Sequence, residues 1–219
     1  MDVEADSMRH IMVMNAKGGC GKSTLATNLA SYYALSGVPV ALADFDPQQS
    51  AVDWAADRPE DAPTVPTVAA FEEGLRTVPW NTEIVVIDAP ARTHGRELNE
   101  LVRRAETILV PVMPSKIDIR ATRRFVGELG DIGKVARRQA RIALVANRIR
   151  EGTLIFDELD AALREMGAPY VATLREAQNY IRAYSRGLGI FELPEYLAWP
   201  DWEQWGPLLE WLDSPRSRP

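Results

Sequence analysis

The run Lys17-Gly18-Gly19-Cys20-Gly21-Lys22-Ser23-Thr24 packs three glycines, two lysines and two hydroxyls into eight residues. That mixture suits phosphate chemistry. Glycines let several backbone N–H groups converge on phosphate oxygens, and a helix that begins at the loop adds partial positive charge. Lys22 would reach the β- and γ-phosphates, and the Ser23 hydroxyl would sit on Mg²⁺. The general pattern is G-x-x-x-x-G-K-[ST], and here Ala16 stands in place of the first glycine. The plainer reading is a glycine-rich turn with incidental lysines. It is disfavoured because a strand, a loop, Gly-Lys-Ser and a helix all fall in the required order. Lys17 is an extra cation five residues before Lys22. At that spacing both cannot follow one path to the same phosphate. Lys17 is either a surface lysine at the loop mouth or a cation for the phosphates of a neighbouring subunit.

Three acids, Asp44, Asp46 and Asp88, fall at the C-terminal ends of expected strands, the edge where open parallel sheets bind ligands. Phosphoryl hydrolysis needs Mg²⁺ to offset phosphate charge and a group that orients water in line with the γ-phosphate. Asp44 and Asp46 also suit the start of a helix just beyond Pro47, so both jobs remain open. Cys20 occupies a variable loop position, and neither His10 nor His94 is placed by sequence to serve as its base. It reads as a small filler with sensitivity to oxidation.

Placing these groups takes a regular scaffold. Short apolar runs predict strands at His10–Asn15, Val38–Ala43, Glu83–Ile87, Thr107–Val112, Arg141–Ala146 and Pro169–Ala172. Helical patterns are expected at Gly21–Ser36 (Leu25, Leu29 and Tyr33 four apart, Gly37 as stop), 93–105, 117–139, 154–166 and 175–186. Residues 57–67 predict a surface loop with a short strand. Alternating strands and helices, with strands apolar throughout, predict an α/β fold: a doubly wound, mostly parallel sheet covered on both faces, one domain over residues 1–219. Residues 1–7 fit no element and are expected to be disordered, which makes Met8 a candidate natural start.

The motif Lys17–Thr24 with Ala41-Leu-Ala-Asp-Phe-Asp-Pro-Gln-Gln-Ser-Ala51 resembles the deviant Walker A ATPases of the ParA/MinD family. Ile84–Pro90 resembles that family's Walker B strand, and Leu109–Thr122 the ParA segment after it. The resemblance implies a P-loop NTPase fold and ATP with Mg²⁺ as cofactors. It casts Lys17 as the family's signature lysine, contacting nucleotide across a sandwich dimer. Gly18, Gly19, Cys20, Gly21, Lys22, Ser23 and Thr24 would cradle the phosphates, with Asn147 and Arg148 near adenine. Asp46 would position the attacking water, and Asp44 and Asp88 would hold Mg²⁺ through water alongside Ser23. Lys17 from the partner would supply charge in place of an arginine finger.

The rest of the chain narrows the branch. Of 219 residues, 46% are hydrophobic and 26% charged, a globular composition that excludes disordered or fibrous chains. No run approaches the ~18 apolar residues of a membrane span. Asp2, Glu4 and Asp6 give no basic start to a secretory signal. One cysteine and two histidines exclude a disulfide within the chain and argue against a zinc or iron–sulfur site, so a reducing cytoplasm is expected. By resemblance, nitrogenase-iron-protein-like and tail-anchored-targeting branches would need more cysteines, and the tyrosine kinases a tyrosine-rich tail. MinD-like members end in a basic amphipathic membrane helix. Here residues 192–213 hold six acids and no Lys or Arg, with Trp199, Trp202, Trp205 and Trp211 expected to pack on the body or a partner.

ParA-like partition ATPases remain, and the resemblance implies non-specific DNA binding by an ATP-dependent homodimer. Net charge is −6, yet Lys116–Arg150 carries +7, leaving −13 elsewhere. On charge alone this is a pair of solvated helix faces. With the resemblance it becomes a candidate DNA face. The candidates are Arg120, Arg123, Arg124, Arg137, Arg138, Arg148 and Arg150, with Arg182 and Arg186 behind them. The P-loop begins almost at once, so site-specific operator binding through an N-terminal helix-turn-helix is not expected. The expected role is a nucleoid-associated switch, stimulated by a cargo-bound ParB-like or McdB-like protein, that positions a plasmid, chromosome or carboxysome. Rival readings are a MinD-like membrane organiser, disfavoured by the acidic tail, and a metabolic ligase of the dethiobiotin-synthetase type, disfavoured by Lys17 and Asp46-Pro47-Gln48.

Overall fold

The computed structural model describes residues 8–219. The expectations for residues 1–7 lie outside the described residues. In chain order the elements are β1 (Arg9–Val13), α1 (Lys22–Leu35), β2 (Val40–Asp44), α2 (Ser50–Ala56), β3 (Thr67–Val68), α3 (Ala70–Glu73), β4 (Ile84–Asp88) and α4 (Gly95–Val102). They continue with β5 (Thr107–Val112), α5 (Lys116–Asp131), α6 (Gly133–Ala136), β6 (Arg141–Ile149), α7 (Leu154–Arg164), β7 (Tyr170–Arg175), α8 (Gln178–Tyr184) and α9 (Glu195–Asp213).

The seven strands form one sheet in the order β3-β2-β4-β1-β5-β6-β7, and every pairing is parallel. The cause is visible in the strands: β2, β4 and β5 are buried at every position, as a sheet covered on both faces requires. Side chains alternate between two cores. Ile11, Val13, Leu42, Val86 and Leu109 pack with Leu25, Leu29, Trp205 and Leu208 on the face of α1 and α9. Met12, Ala43, Val85, Ile87 and Ile108 pack with Leu98, Phe125 and Leu159 on the face of α4, α5 and α7.

The helical pattern expected over 117–139 is broken at Ile132, whose extended backbone (φ −72°, ψ 125°) separates α5 from α6. Besides the four-residue α3, two helices among the described residues were not anticipated. One is α2, seven residues long. The other is α9, whose 19 residues include Pro200 and Pro207. Ala198, Asp201, Trp205, Leu208, Trp211 and Leu212 make its buried stripe. Packing of that stripe outweighs the backbone hydrogen bonds the prolines remove. β6 also outruns its expected end, so Asn147 and Arg148 lie within it, at a register shift against β7 rather than beyond the strand.

The chain leaves central β1 toward β2 and β4 on one side and β5 on the other. Its C-terminal end is therefore the crevice of an open α/β sheet.

Candidate nucleotide site

The loop between β1 and α1 is pinned at both ends. Asn15 enters it buried, donating from Nδ2 to the Pro111 carbonyl (2.8 Å) and to Thr122 Oγ1 (3.2 Å). Its Oδ1 accepts the Lys17 N–H at 3.2 Å. Cys20 is buried, its Sγ 3.3 Å from the Lys17 carbonyl, and burial pushes the thiol pKa up. That suits a filler and opposes a thiolate nucleophile. Gly19 (φ 76°) and Gly21 (φ 91°) take left-handed conformations that a side chain would resist. A Cβ on Gly21 would stand 2.3 Å from Asn147 Nδ2, which donates to the Cys20 carbonyl at 2.8 Å. Asn147 thus grips the loop from β6, across the sheet.

α1 starts at Lys22 with no side-chain cap and no acid in its first turn. Its first N–H groups are left to a ligand, the arrangement that binds anions. Lys22 is 7% exposed, whereas Lys17 is half-buried and Gly18 and Gly19 are exposed at the mouth. The two lysines therefore stand in different environments.

Asp44 and Asp88 end the adjacent strands β2 and β4, directly paired in register. Asp44 Oδ1 accepts the Asp46 N–H at 2.9 Å, and Oδ2 accepts the N–H groups of Ala51 (2.8 Å) and Val52 (3.3 Å). It therefore anchors the first turn of α2. Asp46 is half-buried and accepts the Gln48 N–H at 3.0 Å. Asp88 is wholly buried, and neither of its carboxylate oxygens has a hydrogen-bond partner among the described residues. Burial pushes its pKa up to about 7; the nearby Ser23 hydroxyl and Lys22 oppose that shift, and Asp44 adds to it. An orphaned carboxylate beside a serine hydroxyl at a phosphate loop suits a divalent cation. No cluster of three or more His, Cys, Asp or Glu that could hold a metal exists among the described residues. The cation that fits would take most of its oxygens from phosphate and water, as Mg²⁺ does.

Two cavities flank the loop. One, of about 850 Å³, is lined by Gly18, Gly19, Asp46, Arg92 and Arg104 among others. The other, of about 420 Å³, is lined by Ser23, Thr24, Asn147, Arg148, Tyr180 and Tyr184 among others. An elongated ligand laid on the loop would extend into both. Arg92, Tyr180 and Tyr184 escaped sequence reasoning. Arg92 falls two residues past Pro90, outside the Ile84–Pro90 motif. The tyrosines carry no local signal, because only the fold of α8 brings them to the loop.

The candidate DNA-contacting arginines are all exposed, but they do not form one face. Arg123 and Arg138 line one cleft beside Glu165, with Arg137 adjoining, toward the start of β6. Arg148 and Arg150 lie at the other end of that strand. With the strand rising ~3.3 Å per residue, the two groups are well separated. Arg182 and Arg186 belong to α8 and its end, beside the smaller cavity. Arg120 and Arg124 lie on α5. Arg123 pairs with Glu165 (3.4 Å) and Arg150 with Glu176 (2.5 Å). The other seven, Arg120, Arg124, Arg137, Arg138, Arg148, Arg182 and Arg186, have no acidic partner among the described residues.

α9 is tied to the site. Its buried Asp201 accepts from Arg175 Nε (2.6 Å) and Asn179 Nδ2 (2.8 Å), and Trp205 Nε1 donates to the Tyr180 hydroxyl (2.9 Å). Arg175 and Tyr180 line the smaller cavity. No described helix is long and apolar enough to cross a membrane.

An all-parallel sheet with a phosphate loop after its central strand and carboxylates on the adjoining strand ends defines a P-loop nucleotide-binding protein. Residues 11–190 match the CobQ/CobB/MinD/ParA nucleotide binding domain. The chain belongs to the ParA/MinD family of nucleotide-binding ATPases. It is 28% identical over 191 residues to the maintenance of carboxysome distribution protein A of Halothiobacillus neapolitanus, covering 84% of this chain and 87% of that one. With the protein of the same name from Gloeobacter kilaueensis it is 30% identical over 189 residues, 84% of each chain. Among solved structures, apo McdA from Cyanthece superimposes with a TM-score of 0.75 at 18% identity, over 94% of this chain and 99% of that one. At that identity the likeness shows the fold.

Proposed function

We propose that the chain is a Mg²⁺-dependent ATP hydrolase that dimerises on ATP, binds DNA without sequence preference and positions a cargo. A cargo-bound ParB-like or McdB-like protein would stimulate hydrolysis and release it from the nucleoid. The observation that carries this reading is the separation of the two loop lysines. Lys22 is buried at the start of α1, where it serves the phosphates on its own loop. Lys17 stands at the open mouth beside exposed Gly18 and Gly19, where a facing copy's phosphates would meet it. The similarity to two carboxysome-distribution proteins supports a carboxysome-like cargo. The similarity to the chromosome-partitioning ATPase Soj of Thermus thermophilus, 27% identical over 192 residues, keeps a DNA cargo beside it.

Ser23, Asp44 and Asp88 would hold Mg²⁺, which would supply positive charge to offset the phosphates. Asp46, half-buried in the cavity that Gly18 and Gly19 also line, would orient water toward the γ-phosphate. Lys17 of the facing copy would supply the remaining positive charge, so turnover depends on the dimer. The smaller cavity would take the nucleoside, with Asn147 and Arg148 on its wall.

The test is molar mass by light scattering with ATP–Mg²⁺, beside nucleotide binding and turnover. The wild-type protein should dimerise. Lys17→Ala should stay monomeric while binding nucleotide normally, and Asp46→Ala should accumulate as an ATP dimer with little turnover. A normal ATP dimer in Lys17→Ala, or unimpaired turnover in Asp46→Ala, would contradict the assignment.

A further inference from the structure

Among the described residues, four other than glycine hold a positive φ: Gln49 (59°), Arg92 (61°), Arg138 (58°) and Arg148 (53°). Such a conformation is costly for a residue with a side chain and persists where its surroundings impose it. Arg138 is remote from the phosphate loop. The other three border the candidate site. Gln49 belongs to the segment that begins at Asp44, and Arg148 lines the smaller cavity. Arg92 belongs to no motif read from the sequence, and glycine would hold its backbone without strain.

The turn that carries Arg92 lies against the phosphate loop. The Arg92 N–H donates to the Ala16 carbonyl at 3.0 Å, and a Cβ on Gly18 would lie 3.8 Å from the Ala91 Cβ. The turn after β4 is thereby laid along the loop. The Arg92 side chain is exposed and lines the 850 Å³ cavity with Gly18, Gly19 and Asp46. Its guanidinium makes no hydrogen bond or ion pair among the described residues. The neighbouring cations are engaged: Arg104 lies over the Phe45 ring at 5.7 Å, and Arg96 pairs with Glu100 at 3.0 Å.

We propose that Arg92 is a further catalytic residue, a guanidinium that bonds the terminal phosphate of the nucleotide on its own chain's loop. As water adds to the γ-phosphorus and the bond to the β–γ bridging oxygen breaks, negative charge grows on the phosphoryl oxygens and passes to the departing ADP. A planar, permanently charged donor held at that rim stabilises this charge, and a lysine cannot match its two-pronged geometry. The proposal rests on the reading of the chain as an ATP hydrolase.

The experiment compares wild type, Arg92→Gly and Arg92→Lys for ATP turnover with saturating duplex DNA, for KM and for Tm. Glycine fits φ 61°, so Arg92→Gly should keep or raise Tm while kcat falls at least about tenfold and KM shifts by less than about threefold. Arg92→Lys should recover part of kcat at most. A kcat for Arg92→Gly within about twofold of wild type, or a loss that follows a fall in Tm, would overturn the proposal. Absence of turnover in the wild-type protein would overturn the underlying ATPase reading.

Discussion

Lys22 and Asp88 are the buried ionisable pair at the heart of the site, yet neither Asp88 carboxylate oxygen has a hydrogen-bond partner among the described residues. A buried carboxylate left in that condition costs stability. Asp88→Asn should therefore raise the Tm of the nucleotide-free protein. It should also remove the enhancement of nucleotide affinity by Mg²⁺. Thermal melts and nucleotide titrations with and without Mg²⁺ check both halves, and a lower Tm with intact Mg²⁺ enhancement would refute them. Lys22→Ala should reduce nucleotide affinity at least about a hundredfold, because it removes a charged donor from a largely desolvated position. Unchanged affinity in a fluorescent-nucleotide titration would refute the loop assignment.

The helix α9 shows where sequence patterning is silent and packing decides. Two prolines hide its period, while four tryptophans read as a patch for a partner or for the body. The structure packs Trp205 and Trp211 on the sheet face of α1 and leaves Trp199 half exposed. Trp205→Ala should destabilise the protein by about 3–5 kcal/mol, a large fraction of a typical domain's stability. A shift of the urea midpoint without change in slope measures it, and a shift under about 1 kcal/mol would place that tryptophan outside the core. By contrast, six of the seven strands were legible in outline, because apolar runs bounded by Gly, Pro and charged residues admit few other readings. The glycine-rich turn between β1 and α1 was legible in outline, since its residue types and the strand–helix order around it are local. Asp44, Asp46 and Asp88 were legible as strand-end acids, but their different environments were not. Only the tertiary arrangement binds Asp44 to the α2 amides and leaves Asp88 bare. Arg92 was missed because its importance lies in a backbone angle and a contact with Ala16, neither of which residue type reveals.

At the scale of the whole molecule, parallel order brings β1, β2 and β4 to one edge with the loop, two acids and Arg92. It also spreads the arginines that the sequence concentrates in Lys116–Arg150 over both ends of the sheet. A monomer therefore presents cationic groups in separate places on an acidic body, and doubling the chain would double the phosphates it can meet. Each phosphate neutralised contributes about −0.9 to the slope of log affinity against log salt, so a dimer bridging duplex DNA should be far more salt-sensitive than a monomer. The measurement that tests the central claim most directly is binding to random-sequence duplex DNA across a salt series, without nucleotide, with ADP and with ATP–Mg²⁺. Strong binding in ATP–Mg²⁺ alone, weakening steeply with salt, is the predicted result. Absence of binding in every nucleotide state, or equal binding in all three, would contradict an ATP-switched, DNA-riding ATPase.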